Sequence, residues 1–204
     1  MILAHIEAKP VHLERGLPQG APESPLLFVL VMEMVLRPLL ENWRLRGSGW
    51  RMDSFWLTLV AYADDILLVS SSKKDLEHMV SELLGSLEEV GLTAGLDKTR
   101  WTSYPALPAA KLKVGDAKVD WVSCLTFVGA RVSLNAGSGD GLEYRKAQAN
   151  KVFHKWRAVL LLQGSSAKKR AGLAASVMFS TALWVGEVWT PTRQQRRKLN
   201  SWGA

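Results

Sequence analysis

Apolar and polar residues alternate along this chain in patterns that assign most of its elements. Leu57 to Tyr62 and Ile66 to Ser70 are two apolar runs rich in strand-favouring residues, separated by Ala63-Asp64-Asp65, and that arrangement predicts a β-hairpin with two acids at its tip. After it, Leu76, Met79, Val80, Leu83, Leu84, Leu87 and Val90 recur at helical spacing, with Ser71 or Ser72 as N-cap and Gly91 as terminator, so an amphipathic helix follows the hairpin. Before it, Ser24-Pro25 reads as an N-cap with proline at the first helical position, starting a helix that runs towards Arg46. That helix is apolar nearly all round from Leu26 to Met32, which predicts a core helix ended or kinked at Pro38. Trp101 to Asp120 reads as irregular structure with weak strand, and Val122 to Ser133 as a strand pair bent at Gly129.

Later segments are helical. Leu142 to Leu162 is a basic amphipathic helix whose predicted buried side is Tyr144, Val152, Phe153, Trp156, Val159 and Leu160. Ser165 or Ser166 caps another helix extending to about Val188, and Pro191 breaks the chain before the basic run Arg193 to Lys198. The Gly-rich stretch Asn135 to Gly141 is the best linker, so two domains are expected, 1–135 and 136–204. The fold class is α+β.

Composition narrows the function. At 204 residues with 48% hydrophobic content the chain can bury a sizeable core. Cys124 is its only cysteine, which excludes an intrachain disulfide and a cysteine-based zinc site and suits a reducing, intracellular compartment. Ala171 to Gly186 is the longest weakly charged stretch, but 16 residues interrupted by Gly172, Ser176, Ser180 and Thr181 are too few and too polar to cross a bilayer, so no membrane partner is expected. Met1 to Pro10 lacks the pattern of a secretory signal. The net charge of +7 is uneven: residues 143–204 carry 12 Lys and Arg against 2 acids, whereas residues 1–142 carry 14 basic against 17 acidic residues. A basic half beside an acidic half suggests a polyanion gripped by one and processed by the other. A merely cationic surface accounts for the charge alone equally well.

Chemistry concentrates in two stretches. Asp64 and Asp65, side by side at a turn, repel one another unless water or a cation compensates them, and Mg²⁺ accepts one or two protein carboxylates beside substrate phosphates. Taken alone, such a pair is more often an ordinary turn, because Asp bonds its own backbone. Gly16 to Pro25 (GLPQGAPESP) packs two glycines and three prolines into ten residues, which forbids regular structure and lets backbone amides approach an anion at a helix start.

Read together, GLPQGAPESP and then, roughly 40 residues on, YADD between apolar strands resemble the paired signature of reverse transcriptases, most closely those of non-long-terminal-repeat (LINE-type) retrotransposons. Gly91 to Thr99 and Phe127-Val128-Gly129 are similar to later palm motifs, and Trp184 to Leu199 to the thumb-region tail. The resemblance implies an antiparallel palm sheet with packed helices, then a helical thumb. It implies that Asp64 and Asp65 hold Mg²⁺ or Mn²⁺ and catalyse nucleotidyl transfer, with cations about 3.5–4 Å apart serving the primer 3′ hydroxyl and the leaving pyrophosphate. Lys98 would stand near the departing phosphate, Pro18, Gln19, Gly20, Ser24 and Tyr62 near nucleotide and template, and Phe127, Val128 and Gly129 against the primer. Lys168, Lys169, Arg170, Arg193, Arg196, Arg197 and Lys198 would track the nucleic-acid backbone. The implied partners are an RNA template, a DNA primer and deoxynucleoside triphosphates.

One departure matters. The family carries a further metal-binding aspartate upstream of the GLPQG loop, and no Asp precedes Asp53 here. The chain therefore resembles the rear half of a palm followed by a thumb, without fingers. A catalytically inactive remnant that only binds nucleic acid is the alternative expectation. A viral RNA-dependent RNA polymerase is disfavoured, because Tyr62-Ala63 stands where that family shows glycine.

Overall fold

A computed structural model of the chain describes residues 16–18, 20–134, 139–160, 164, 166–184 and 193–202. It divides into two compact units, Met1–Ala94 and Gly95–Ala204. Both mix helices with small antiparallel ribbons. Among the described residues, strands β1 (Trp50–Met52), β2 (Phe55–Leu57), β3 (Leu59–Tyr62), β4 (Asp65–Leu68), β5 (Lys111–Val114), β6 (Ala117–Asp120), β7 (Leu125–Phe127) and β8 (Ala130–Val132) form four separate two-stranded antiparallel hairpins.

All four hairpins close with two residues. Their first central residues, Asp53, Ala63, Gly115 and Val128, take φ of +50°, +51°, +57° and +47°, the left-handed backbone by which tight hairpin turns match the twist of their strands. The β5–β6 hairpin lies where the sequence promised irregular structure with weak strand. Its signal was there: Leu112, Val114 and Val119 alternate with polar residues and are almost fully buried, and Gly115-Asp116 is a strong turn dipeptide.

The first unit is built on helices α1 (Ser24–Arg46) and α2 (Lys73–Glu89). Met32, Val35, Leu36, Leu39 and Trp43 of α1 pack with Met79, Leu83 and Leu87 of α2, and Leu59, Ile66 and Leu68 of the β3–β4 hairpin lean on the same core. Helix α1 runs unbroken through Pro38. It is not buried all round: Leu26 and Met34 are 64% and 73% exposed, with Leu27, Val29 and Leu30 also exposed, because only one stripe of the helix finds partners. Each helix ends with a glycine at positive φ and paired backbone bonds to the last turn, at Gly47 for α1 and Gly91 for α2.

In the second unit, helix α3 (Gly139–Leu160) is followed by α4 (Ala167–Ala174), a π-helical turn over Ala175–Phe179, and α5 (Ser180–Ala182), with α6 (Arg193–Trp202) after Pro191. Ser166 caps α4, accepting from the Lys169 amide at 3.3 Å. The buried positions of α3 are Leu142, Arg145, Ala149 and Leu160; of the expected side, Leu160 is buried, Tyr144, Val152 and Phe153 are half-buried, and Trp156 and Val159 are exposed. No described helix is long and apolar enough to cross a membrane.

Candidate active-site hairpin

The β3–β4 ribbon pairs Leu59 with Leu68, Val60 with Leu67, Ala61 with Ile66 and Tyr62 with Asp65. Successive side chains alternate between faces, so Leu59, Ala61, Ile66 and Leu68 share one face and Val60, Tyr62, Asp65 and Leu67 the other. The first face supplies the residues packed on the α1–α2 core. Asp65 and Tyr62 therefore stand opposite each other on the outer face, and Asp64 occupies the turn. All three are exposed. Neither carboxylate accepts a hydrogen bond or forms an ion pair with another described residue, so both keep their oxygen lone pairs for a ligand.

A second set of contacts fixes the foot of this hairpin. Asp75, at the third position of α2, accepts from the hydroxyls of Ser48 and Ser70, both at 2.7 Å, and from the Gly49 amide at 3.3 Å. Its own amide donates to the Ser72 hydroxyl that caps the helix. Burial pushes the Asp75 carboxyl up, but the bonds from Ser48, Ser70 and Gly49, with Arg46 nearby, override it and hold it below the usual carboxylate range. One carboxylate thus joins the end of α1, the exit from β4 and the start of α2. Next to it, Glu82 accepts two bonds from Arg46 at 2.6 and 2.7 Å and one from the Trp43 indole at 2.6 Å, and the Arg46 bond chiefly holds its carboxyl low. Of the two expected caps, Ser71 and Ser72, it is Ser72 that serves, whereas Asp75 and Glu82 carry no sequence signal, since partners 27 and 39 residues away leave no local pattern.

At the GLPQG loop, Gly16 and Gly20 adopt φ of +85° and +93°, and the Ser24 hydroxyl donates to the Pro18 carbonyl at 2.8 Å. Ser24 is thus the first helical residue, holding the loop, and not the N-cap; Glu23 takes that place without a side-chain bond. Gln19 lies outside the described residues. Asp64, Asp65, Tyr62, Pro18, Gly20 and Ser24 all belong to the first unit. Lys98 belongs to the second, exposed in a turn where the Lys98 and Thr99 amides donate to Gly95.

The Phe127–Gly129 turn is likewise in the second unit, and its backbone is engaged. Arg145 donates to the Gly129 carbonyl and the Trp184 indole to the Val128 carbonyl at 3.0 Å, while Arg131 and Arg145 lie over the Tyr144 ring at 5.3 and 5.7 Å. Gly129 takes φ of +75°, which side chains rarely adopt, and an added Cβ would sit 2.9 Å from the end of the Arg145 guanidinium and 3.2 Å from the Trp184 indole nitrogen. Among the basic residues, Lys168, Lys169, Arg193, Arg196 and Arg197 are exposed and Arg170 is half-buried. The side chain of Lys198 lies outside the described residues.

Asp64 and Asp65 fit a hard divalent cation in donor type and accessibility. They do not close a site, because among the described residues no group of three or more His, Cys, Asp or Glu side chains could hold a metal.

The family model described as reverse transcriptase (RNA-dependent DNA polymerase) matches residues 2–132, which include the GLPQG loop and the Asp64-Asp65 hairpin. The chain belongs to that family. Its similar proteins place the chain among the family members of non-long-terminal-repeat retrotransposons. It is 38% identical over 78 residues to the retrovirus-related Pol polyprotein from type-1 retrotransposable element R2 of Nasonia vitripennis, covering 38% of this chain and 7% of that protein. It is 32% identical over 108 residues to the corresponding polyprotein from type-2 element R2DM of Drosophila melanogaster, covering 53% and 10%. Against the polyprotein of element R1 2 of Nasonia vitripennis identity is 25% over 159 residues, covering 71% and 36%. The chain thus spans between 7% and 36% of the length of these relatives.

Proposed function

We propose that the chain supplies the paired-carboxylate hairpin and the following thumb region of a retroelement RNA-directed DNA polymerase. The observation that carries this reading is the pair of exposed, unengaged carboxylates, Asp64 and Asp65, raised on a hairpin whose inner face is locked to the α1–α2 core. Rigid backing suits catalysis, since a carboxylate that must hold charge at a reacting centre acts best when its position is fixed beforehand. When bound, Mg²⁺ or Mn²⁺ lowers the pKa of the attacking hydroxyl and neutralises charge on the leaving pyrophosphate. The chain's own part is narrower. Asp64 and Asp65 offer oxygen ligands, Tyr62 lies beside Asp65 on the outer face, and Pro18, Gly20 and Ser24 shape a loop against which nucleotide and template rest. Lys98 serves the departing phosphate, and Phe127 to Gly129 lie along the primer. Within this scheme residues 1–135 act as palm and 136–204 as thumb.

Only two of the expected carboxylates lie in these residues, so the remaining ligands come from substrate phosphates, water and protein outside them. Two measurements test the reading. In the intact parent polyprotein, Asp64→Asn should lower primer extension by at least ~10²-fold at unchanged folding, the usual cost of removing one preorganised charge-stabilising group. The isolated 204-residue chain should bind primer-template without extending it. Unaltered extension by the parent variant would overturn the catalytic assignment, and Mg²⁺-dependent synthesis by the isolated chain would overturn the view that its ligand set is partial.

A further inference from the structure

The β1–β2 hairpin has its faces arranged against the usual order. Trp50, Met52 and Phe55 are exposed, whereas Arg51, Ser54, Trp56 and Thr58 line an open cleft together with Leu40 and Arg44 of α1. A ribbon packed for stability alone turns its apolar face inward. The cleft measures about 480 Å³. The register explains its lining: Arg51 pairs directly with Trp56, and Ser54, Trp56 and Thr58 follow at every second position. The Trp56 indole donates to the Ser48 carbonyl at 2.9 Å, which fixes the ring in the wall. Neither Arg44 nor Arg51 forms an ion pair among the described residues; Arg51 makes only a long bond to the Asp53 carbonyl at 3.5 Å.

From this cleft we infer a second nucleic-acid contact, in which a single strand lays a base against Trp56 and its phosphates on Arg44 and Arg51. An indole held in place, two guanidinium groups and the Ser54 and Thr58 hydroxyls match the chemistry of a base-bearing phosphate. The cleft stands at the foot of the β3–β4 hairpin, since Thr58 immediately precedes β3, and the four residues of that strand separate it from the acids by about 15 Å. That distance is too great for the nucleotide being joined, so the occupant is strand lying beyond the reacting centre. A strand, not a free nucleotide, is favoured because the cleft is open at the surface with both arginines exposed. The inference rests on the polymerase reading, but its test needs no catalysis and can fail separately from the loss of extension on replacing Asp64.

Fluorescence anisotropy of a labelled ten-nucleotide single strand is measured with the full 204-residue chain and with Arg44→Gln/Arg51→Gln, at several salt concentrations. The double variant should lose about tenfold in affinity or more, and the slope of log affinity on log salt should shrink by about 1.4, or 0.7 for each phosphate contact removed. Arg44→Lys/Arg51→Lys should restore the slope, and duplex binding should be unaffected by either variant. Equal melting temperatures establish that both variants fold. Unchanged single-strand affinity, an equal loss on duplex, or displacement of the strand by deoxythymidine triphosphate at equal nucleotide concentration would each overturn the assignment.

Discussion

Asp75 ties the exit of the hairpin that carries the two candidate catalytic acids to the end of α1 and the start of α2. It satisfies two hydroxyls and one amide from the segments that follow α1 and β4, so Asp75→Ala should cost about 2–3 kcal/mol, the scale of leaving such donors unpaired around a lost charge. Gly49, one of those donors, tolerates nothing larger. An added Cβ would sit 2.7 Å from the Trp56 indole nitrogen and 2.9 Å from the Leu57 carbonyl, at a φ of +116° that side chains rarely adopt, and Gly49→Ala should lower the melting temperature measurably through strain of roughly 1–3 kcal/mol. Acid sensitivity follows from the same pair of sites. The carboxyls of Asp75 and Glu82 are held below their ordinary values in the folded chain, so each contributes stability above the unfolded pKa of about 4 that is lost as pH falls through the folded value. Thermal melts from pH 7 down to pH 3 should show the Asp75→Asn/Glu82→Gln variant losing less stability on acidification than the parent chain. A steeper loss in the variant would contradict this assignment of charge.

Between elements, the decisive contact is α1 on α2. Met79 is fully buried against the α1 stripe, and Met79→Ala should destabilise the chain by about 2–5 kcal/mol, read as a fall in denaturant midpoint without a change in slope. The elements themselves were legible because their signals are local: the period-2 runs around Ala63 to Asp65, the Ser72 cap, and glycine after each of the first two helices. Phase and partners were harder to read. Leu26 to Leu30 are as apolar as the buried stripe that follows them, and composition alone does not say which face finds a neighbour. In α3 the buried positions include Arg145 and Ala149, which hydrophobicity does not flag. Arg145 is buried because it serves the Gly129 carbonyl and the Tyr144 ring, contacts that exist only once the β7–β8 hairpin is folded. The two motifs were readable in the sequence, while the contacts that hold the foot of the hairpin run through Ser48, Ser70 and Asp75, and those that join α1 to α2 run through Glu82, all brought together by folding.

At the scale of the whole chain, the separation of charge gives the last prediction. The 12 basic residues after Glu143 face only 2 acids in the same stretch, and α6, helical from Arg193 to Trp202, presents Arg193, Arg196 and Arg197 at the surface while α4 presents Lys168 and Lys169. A charged tail needs no helix to stay soluble, so an ordered basic helix favours a ligand with regularly spaced negative charge. If these residues lie along a primer-template duplex, each lost phosphate contact should reduce the salt slope by about 0.9 on B-form DNA. Replacing Arg196, Arg197 and Lys198 together with Ala should therefore weaken duplex binding at low salt and flatten its salt dependence, with Lys168→Ala/Lys169→Ala adding a further, separable decrement. Titration of one duplex at two salt concentrations decides it, because a helix that merely solubilises the chain leaves both affinity and slope where they were.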